Sequence, residues 1–374
     1  MTLQEIRKRI DTIDAQLLPL FLERMQCSRQ VAEVKKENSM PIFNAERERE
    51  ILDQVQENSG EFGAEARMFY ASLMEMSRAL QHSMMDCGKE LRNQIEAAGF
   101  RPEKCGRIAC LGEAGSFSHE ALCTFYPKAQ PLFLPGFGDI FAAVESGEAD
   151  LGLVPVENSS AGSVGEVYDL ILKYRFYIIA AATLPVRDCL AAAKRVDPRT
   201  VGTVYSHPQA LAQCSEYIQK NSMLPLPMSS TAAAAQSIAR RQEAGIGAIC
   251  SEYAAKEYGL NILERDIQNS SSNCTRFIVI SRKLSIPEDA RKISLCFSLV
   301  HQTGSLYRVL ARFAQAGLNL TKIESRPIAE KNFEYDFYLD FTGNMRDEKT
   351  LSLILSLHDE LPRFSFLGNY TERE

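Results

Sequence analysis

SSSNCTRFIVI, residues 270–280, is the stretch from which the architecture is read. Phe277–Ile280 is an apolar, β-rich run with the character of a buried strand. Asn273, Cys274, Thr275 and Arg276 precede it: an amide, a thiol, a hydroxyl and a guanidinium. Polar groups at the lip of a buried strand are where α/β domains hold their chemistry. The same residues also make a turn that satisfies its own backbone. Four further strand-to-helix junctions carry the same residue types, and that repetition favours a functional rim.

Those junctions lie between residues 104 and 283. Strand Arg107–Leu111 leads into Gly112–His119, where glycines and hydroxyls open a helix and form a cradle for an anion. It matches neither a P-loop nor a dinucleotide fingerprint. Strand Leu151–Val154 leads into Pro155–Gly162, then a helix near Gly165–Leu172. Strand Val201–Tyr205 leads into Ser206-His207-Pro208-Gln209. Ser229-Ser230-Thr231 caps a helix over Ala232–Arg241, and Gly245–Cys250 is a further strand. Alternating strands and helices predict an α/β segment of two lobes, its loops facing a cleft for a small anion.

Composition narrows the function class. With 374 residues, two or three domains are expected. A net charge of −6 with interspersed signs, and no basic run with aromatics, argues against nucleic acid. No apolar run reaches about 18 residues, and the N-terminus begins a charged amphipathic pattern at once. The longest apolar candidate, Phe176–Val186, contains Pro185. No membrane role is expected. Ten cysteines without a C-x-x-C pair predict reduced thiols in a cytoplasm and no metal site.

Residues 1–98 predict an all-α segment. Ile6, Ile10, Ile13, Leu17, Leu20 and Phe21 form one stripe of a long helix. Arg24 and Lys35 fall near its middle and Arg7 at its edge, at about 100° per residue. Cations on such a stripe either snorkel over apolar surface or hold an anion. Pro19 predicts a kink or break near Gln16–Pro19. A second helix is expected over Ala45–Glu57, with Glu48 beside Ile51, Leu52 and Val55. A third is expected from Ala64 to Ile95, with Ser77 and Gln81 on the stripe of Phe69, Leu73, Leu80 and Met84. Three such helices enclose little by themselves, so a homodimer or higher assembly is expected.

The set Arg7, Arg24, Lys35, Arg47, Glu48, Ser77 and Gln81 resembles the all-helical chorismate mutases. That resemblance implies that Arg24, Arg47 and a partner subunit's Arg7 hold carboxylates, and that Lys35 and Gln81 donate to the breaking ether oxygen. It gives Glu48 the ring hydroxyl, and Ser77 and Asn44 contacts to substrate; the family often has Asp where Asn44 stands. VPVENSSAG, YSHPQAL and NCTRF together resemble prephenate dehydratase, whose two-lobed fold is like that of periplasmic binding proteins. This implies Thr275 as the hydroxyl at the leaving group and Arg276 on a carboxylate. Asn158 and Gln209 would line the pocket, together with Ser116, Glu157 and Ser206. Glu113 replaces the family's usual proline.

Residues 290–374 predict a strand–helix–strand–strand–helix–strand module of ferredoxin-like order. Gly304-Ser305-Leu306 and Glu324-Ser325-Arg326-Pro327 resemble the effector motifs of ACT domains, which bind phenylalanine at a subunit interface. The chain as a whole thus resembles the bifunctional chorismate mutase/prephenate dehydratases, without cofactor or metal. Chorismate and prephenate are the implied substrates and L-phenylalanine the implied effector. The rival reading is a two-lobed small-anion sensor. A sensor needs carboxylate holders but no donor to a leaving group.

Overall fold

The computed structural model describes residues 1–85, 88–100, 106–328, 331 and 333–373. By compactness the chain falls into two units, Met1–Ala97 with Leu295–Ser365, and Ala98–Ser294 with Phe366–Glu374.

In the first unit, helix Leu3–Glu37 starts at a capping box between Thr2 and Glu5. It runs without interruption through Pro19, so the break expected there does not form. A proline deletes one bond of the ladder, and the long helix retains the bonds on either side. Only Ser28 and Ala32 of this helix are buried. Ile6, Ile10, Ile13, Leu17 and Leu20 are 41–62% exposed, so the apolar stripe that forms the helix is uncovered. Asn44 caps helix Ala45–Asn58 by accepting from the Arg47 N–H at 3.0 Å.

The third helix, expected to reach Ile95, stops at Met84. Met85 is extended, Gly88 takes a left-handed φ of 60°, and Lys89–Glu96 is a separate helix. Residues 86 and 87 lie outside the described residues. A Cβ on Gly88 would stand 2.7 Å from the Leu355 side chain, so conformation and packing both ask for glycine.

The C-terminal part of the chain has strands Lys292–Ser298, Leu320–Pro327, Tyr335–Thr342 and Arg363–Arg373, and helices Ser305–Gln315 and Glu348–Glu360. The order along the sheet is Leu320–Pro327, Tyr335–Thr342, Lys292–Ser298, Arg363–Arg373. Residues 295–365 pack with the N-terminal helices: helix Gly63–Met84 meets both C-terminal helices.

The second unit holds two sheets. One runs Gln130–Leu134, Arg107–Leu111, Leu151–Asn158, Cys274–Ser281, Tyr177–Pro185, and ends with residues Thr371–Arg373 paired parallel to the last of these. Its core gathers Ile108, Leu122, Leu151, Leu153, Phe277 and Val279. The other runs Asn261–Glu264, Cys189–Ala192, Ile246–Cys250, Thr203–Ser206, Leu224–Pro227. Leu190 packs on one face of it and Ala191 on the other, as the period of two requires. Two strands are longer than expected. Leu151 continues to Asn158, and the strand of Phe277 begins at Cys274. The linker expected at Arg101–Gly106 lies, except for Gly106, outside the described residues.

Candidate functional site

All five polar junctions of the α/β segment contribute to one cavity of about 230 Å3. Its wall includes Ser116 and Phe117, Asn158, His207 and Gln209, Ser229–Thr231, and Asn273 with Thr275. Val186, Asp188, Ala210 and Gln213 complete it.

Asn158 and Thr275 face each other in register on antiparallel strands. Asn158 Nδ2 donates to Thr275 Oγ1 and to Asn273 Oδ1, each at 3.0 Å. Its Oδ1 accepts from the backbone N–H of Ser160 and Ala161 at 3.0 and 2.9 Å. The amide is therefore held at both ends. Thr275, having accepted from Asn158, keeps its own O–H to donate.

Two helices of nine and eleven residues start at this wall. Ser116 caps Phe117–Phe125, accepting from His119 N–H at 3.2 Å, and Ser230 caps Thr231–Arg241, accepting from Ala233 N–H at 2.8 Å. Helix starts present N–H groups and positive dipole ends to an anion. Among the described residues, neither Arg nor Lys lines the cavity. An anion there meets hydroxyls, amides and helix dipoles, with the His207 ring and Asp188 on the same wall. Ser230 also donates to Glu113 Oε1 at 2.7 Å, tying the first loop to the start of helix Thr231–Arg241.

Three of the residues singled out from sequence stand elsewhere. Arg276 follows Thr275 on a strand, so it takes the opposite face. Its Nε donates to Glu372 at 2.5 Å and its Nη2 to the Tyr370 hydroxyl at 3.0 Å. Glu157 is in register with Arg276 and is likewise absent from the cavity wall. Ser206 is fully buried and donates to the Ile249 carbonyl at 2.6 Å.

The helical segment gathers a second polar group. Arg24 Nη1 donates to Ser77 Oγ at 2.7 Å and to the Leu73 carbonyl at 3.2 Å. Lys35 Nζ donates to the Ile42 carbonyl at 2.5 Å. Burial pushes the Lys35 pKa down, opposed by Glu48 and reinforced by Arg78. Gln81 is buried, and its Oε1 has no hydrogen-bond partner among the described residues. Arg47 is different: it is exposed and pairs with Glu50 at 3.3 Å. Asn44 serves as a helix cap, and Arg7 is exposed.

Arg78, which the sequence reading passed over, sits behind this group. It pairs with Glu48 on the second helix and with Glu75 at 2.5 Å. The ionic cluster continues to the C-terminal helices. His82 pairs with Glu360 at 2.6 Å, Arg312 pairs with Glu360 at 2.8 Å, and Arg312 also donates to Ser356. Desolvation pushes the Glu75 pKa up against the pull of Arg78 and Arg312. The i,i+3 spacing of Glu75 and Arg78 was the available signal.

In the C-terminal module, Gly304 takes a φ of 79° before helix Ser305–Gln315, and Ser305 Oγ accepts from Arg308 at 3.2 Å. Leu306 follows, half-buried. Gly304, Arg308 and Tyr307 share a cavity of about 390 Å3 with Arg67, Ser72 and Glu75 of the third helix. Glu324, Ser325, Arg326 and Pro327 end the strand at the edge of the sheet, and Glu324 pairs with Lys322 at 3.4 Å.

Family models agree with this division of polar groups. One described as prephenate dehydratase matches residues 108–285, and one described as chorismate mutase type II matches residues 6–82. The bifunctional chorismate mutase/prephenate dehydratase of Aquifex aeolicus (strain VF5) is 34% identical over 372 residues, 98% of this chain and 97% of that one. The protein of the same description from Escherichia coli (strain K12) is 30% identical over 375 residues, 98% and 95% of the two chains. Among solved structures, the prephenate dehydratase of Arthrobacter aurescens in complex with L-Phe aligns with a TM-score of 0.64 at 32% identity. It covers 71% of this chain and 89% of that one. No helix among the described residues is long and apolar enough to cross a membrane.

Proposed function

The chain belongs to the family of bifunctional chorismate mutase/prephenate dehydratases, and from that premise we propose that each of its two polar sites holds one substrate dianion. Chorismate is rearranged to prephenate, and prephenate loses carbon dioxide and its ring hydroxyl to give phenylpyruvate, on the way to phenylalanine. The sensor reading is not favoured. The functional division we propose is mutase 1–98, dehydratase 104–283 and regulatory module 290–374.

The rearrangement needs no acid, base or nucleophile. It needs a compact conformer and charge stabilisation at the breaking ether oxygen. Arg24, already anchored on Ser77, holds a carboxylate through its bidentate fork. Lys35 and Gln81 donate to the ether oxygen, and Glu48, steadied by Arg78, takes the ring hydroxyl. Arg47 turns inward from Glu50 when substrate arrives. Arg7 comes from a partner subunit: the uncovered stripe of the first helix fits a second copy of the same helix. A chain that sediments as a monomer at micromolar concentration would overturn this dimer.

In the dehydratase, the starts of the helices at Phe117 and Thr231 bind carboxylate, Gln209 orients the ring, and Thr275 donates to the leaving hydroxyl while Asn158 fixes it. The observation that carries this assignment is the convergence of five junctions on one cavity, with Asn158 bonded to Thr275.

The C-terminal module reads as an ACT domain for L-phenylalanine. Its element order, the Gly304 turn and the cavity beside it support this, as does the L-Phe bound in the Arthrobacter relative. The eight described cysteines are free thiols, in keeping with a reducing cytoplasm. One assay tests the whole reading: chorismate is supplied and phenylpyruvate followed with and without phenylalanine. Product that falls as phenylalanine rises is the expected result; rates indifferent to saturating phenylalanine remove the regulatory part.

A further inference from the structure

Strand Tyr177–Pro185 belongs to one sheet of the second unit and strand Cys189–Ala192 to the other. The connection between them carries Asp188. It is 1% exposed, yet it forms part of the wall of the cavity that holds Thr275 and Asn158. Its backbone is clamped: its N–H donates to Gln268 Oε1 at 3.0 Å and its carbonyl accepts from Ile267 N–H at 3.1 Å.

The carboxyl group is not satisfied in the same way. Oδ2 lies 4.0 Å from Cys214 Sγ, and Oδ1 has no hydrogen-bond partner among the described residues. The titratable groups around it are thiols, those of Cys214, Cys189 and Cys250, with His207 elsewhere on the cavity wall. Neighbouring Arg187 points to Asp266 instead, at 3.1 Å. A buried carboxyl with an open oxygen is a standing penalty that an amide or an apolar residue would remove. Its place at the wall of the cavity that holds Thr275 points to use.

We propose that Asp188, as the neutral acid, gives the proton that converts the departing ring hydroxyl of prephenate into water. The assignment rests on the dehydratase reading and deepens it. The bond between the ring and its carboxylate breaks, carbon dioxide leaves, and that electron pair completes the aromatic ring. The bond from ring carbon to hydroxyl breaks with its electrons on oxygen, and the Asp188 proton makes that oxygen water. Asp188 is left as carboxylate and regains its proton from solvent.

Chemistry supports a carboxylic acid in this role. A threonine hydroxyl is too weak an acid to protonate a leaving group, so Thr275 positions the oxygen and Asp188 supplies the proton. Burial pushes the Asp188 pKa up to about 6. A substrate carrying two negative charges in the same cavity raises it further, which keeps the acid form populated near neutrality.

The test compares Asp188→Asn with the unsubstituted enzyme. The asparagine variant should lose ~100-fold or more in dehydratase kcat, with KM within ~3-fold and mutase activity unchanged. From about pH 6 to about pH 9 the unsubstituted kcat should fall along an alkaline limb that the variant lacks. Asp188→Glu should recover part of the rate with the limb displaced. A variant that keeps kcat within ~3-fold, or keeps the limb, overturns the assignment. Should Asp188→Asn fail to fold, losing mutase activity too, the unsubstituted profile decides alone: a flat kcat refutes an acid at this position. Absence of phenylpyruvate from the unsubstituted enzyme would instead bring down the dehydratase reading itself, and the assignment with it.

Discussion

The helical site and the cleft assemble their polar groups by opposite means. The first brings full charges together: Arg24, Lys35, Glu48 and, behind it, Arg78. The second has hydroxyls, amides and helix starts beside His207 and Asp188, with no Arg or Lys on its wall among the described residues. The reactions explain the contrast. A rearrangement leaves both carboxylates of its substrate charged throughout, so permanent cations hold ground state and transition state alike and fix the conformer. In the dehydratase one carboxylate must leave as neutral carbon dioxide. A fixed cation on it would stabilise the charge that has to disappear, and binding of that kind raises the barrier. The position of Arg276, turned away onto Glu372, follows the same logic.

The strongest way to break this comparison is to cross the activities. Gln81→Ala removes a donor from the charged site and should lower mutase kcat by ~10³-fold, about 4 kcal/mol, with dehydratase intact. Thr275→Ala should do the reverse to a similar degree. Stopped assays with chorismate and with prephenate separate the two rates. Joint loss in either variant would mean that the sites are not independent.

Arg78→Ala probes the charged site from behind. It leaves Glu48 without its anchor and Glu75 buried without its nearest cation. Removing one partner of a buried pair destabilises by about 3–5 kcal/mol. The loss should shrink as pH falls, because Glu75, its pKa already raised by burial, then takes a proton. Urea denaturation at about pH 8 and about pH 5 measures both values. Equal losses at the two pH values would show that Glu75 is not the group left stranded.

Much of this was legible in the residues. The βαββαβ order, the two-sheet α/β segment and the five polar junctions follow from strand patterning and turn chemistry, which act over a few residues. Beyond the helix and strand bounds, three features of the sites escaped. Helix Gly63–Met84 buries two faces, one on the first helix through Leu73 and Ser77, the other on the C-terminal helices through Arg78 and His82. A stripe drawn for a single partner misses the second face. Thr275 and Arg276 read as neighbours in function, but strand geometry sends them to opposite faces, and only knowing that the strand begins at Cys274 reveals it. Asp188 stood in plain view as a lone acid in the apolar run Tyr177–Ala193. Its signal was the mismatch between residue and surroundings, and its place at the cleft came from a pairing of distant strands.

Asp188 also yields the smallest effect, one that sharpens the contrast between the sites from the side of stability. A carboxyl whose pKa rises from 3.8 to about 6 on folding binds its proton more tightly in the native state. Below about pH 4 both states are protonated and the residue is harmless. As pH climbs from there through about 6 the native state must surrender that proton at a buried site, and stability falls by about 3 kcal/mol relative to acid conditions. Asp188→Asn removes the titration. It should therefore raise the melting temperature at about pH 8 and leave it nearly unchanged at about pH 4, while dehydratase activity drops. A melting temperature that falls at both pH values would show instead that the carboxyl is satisfied in the folded chain and is not a standing penalty on the cleft.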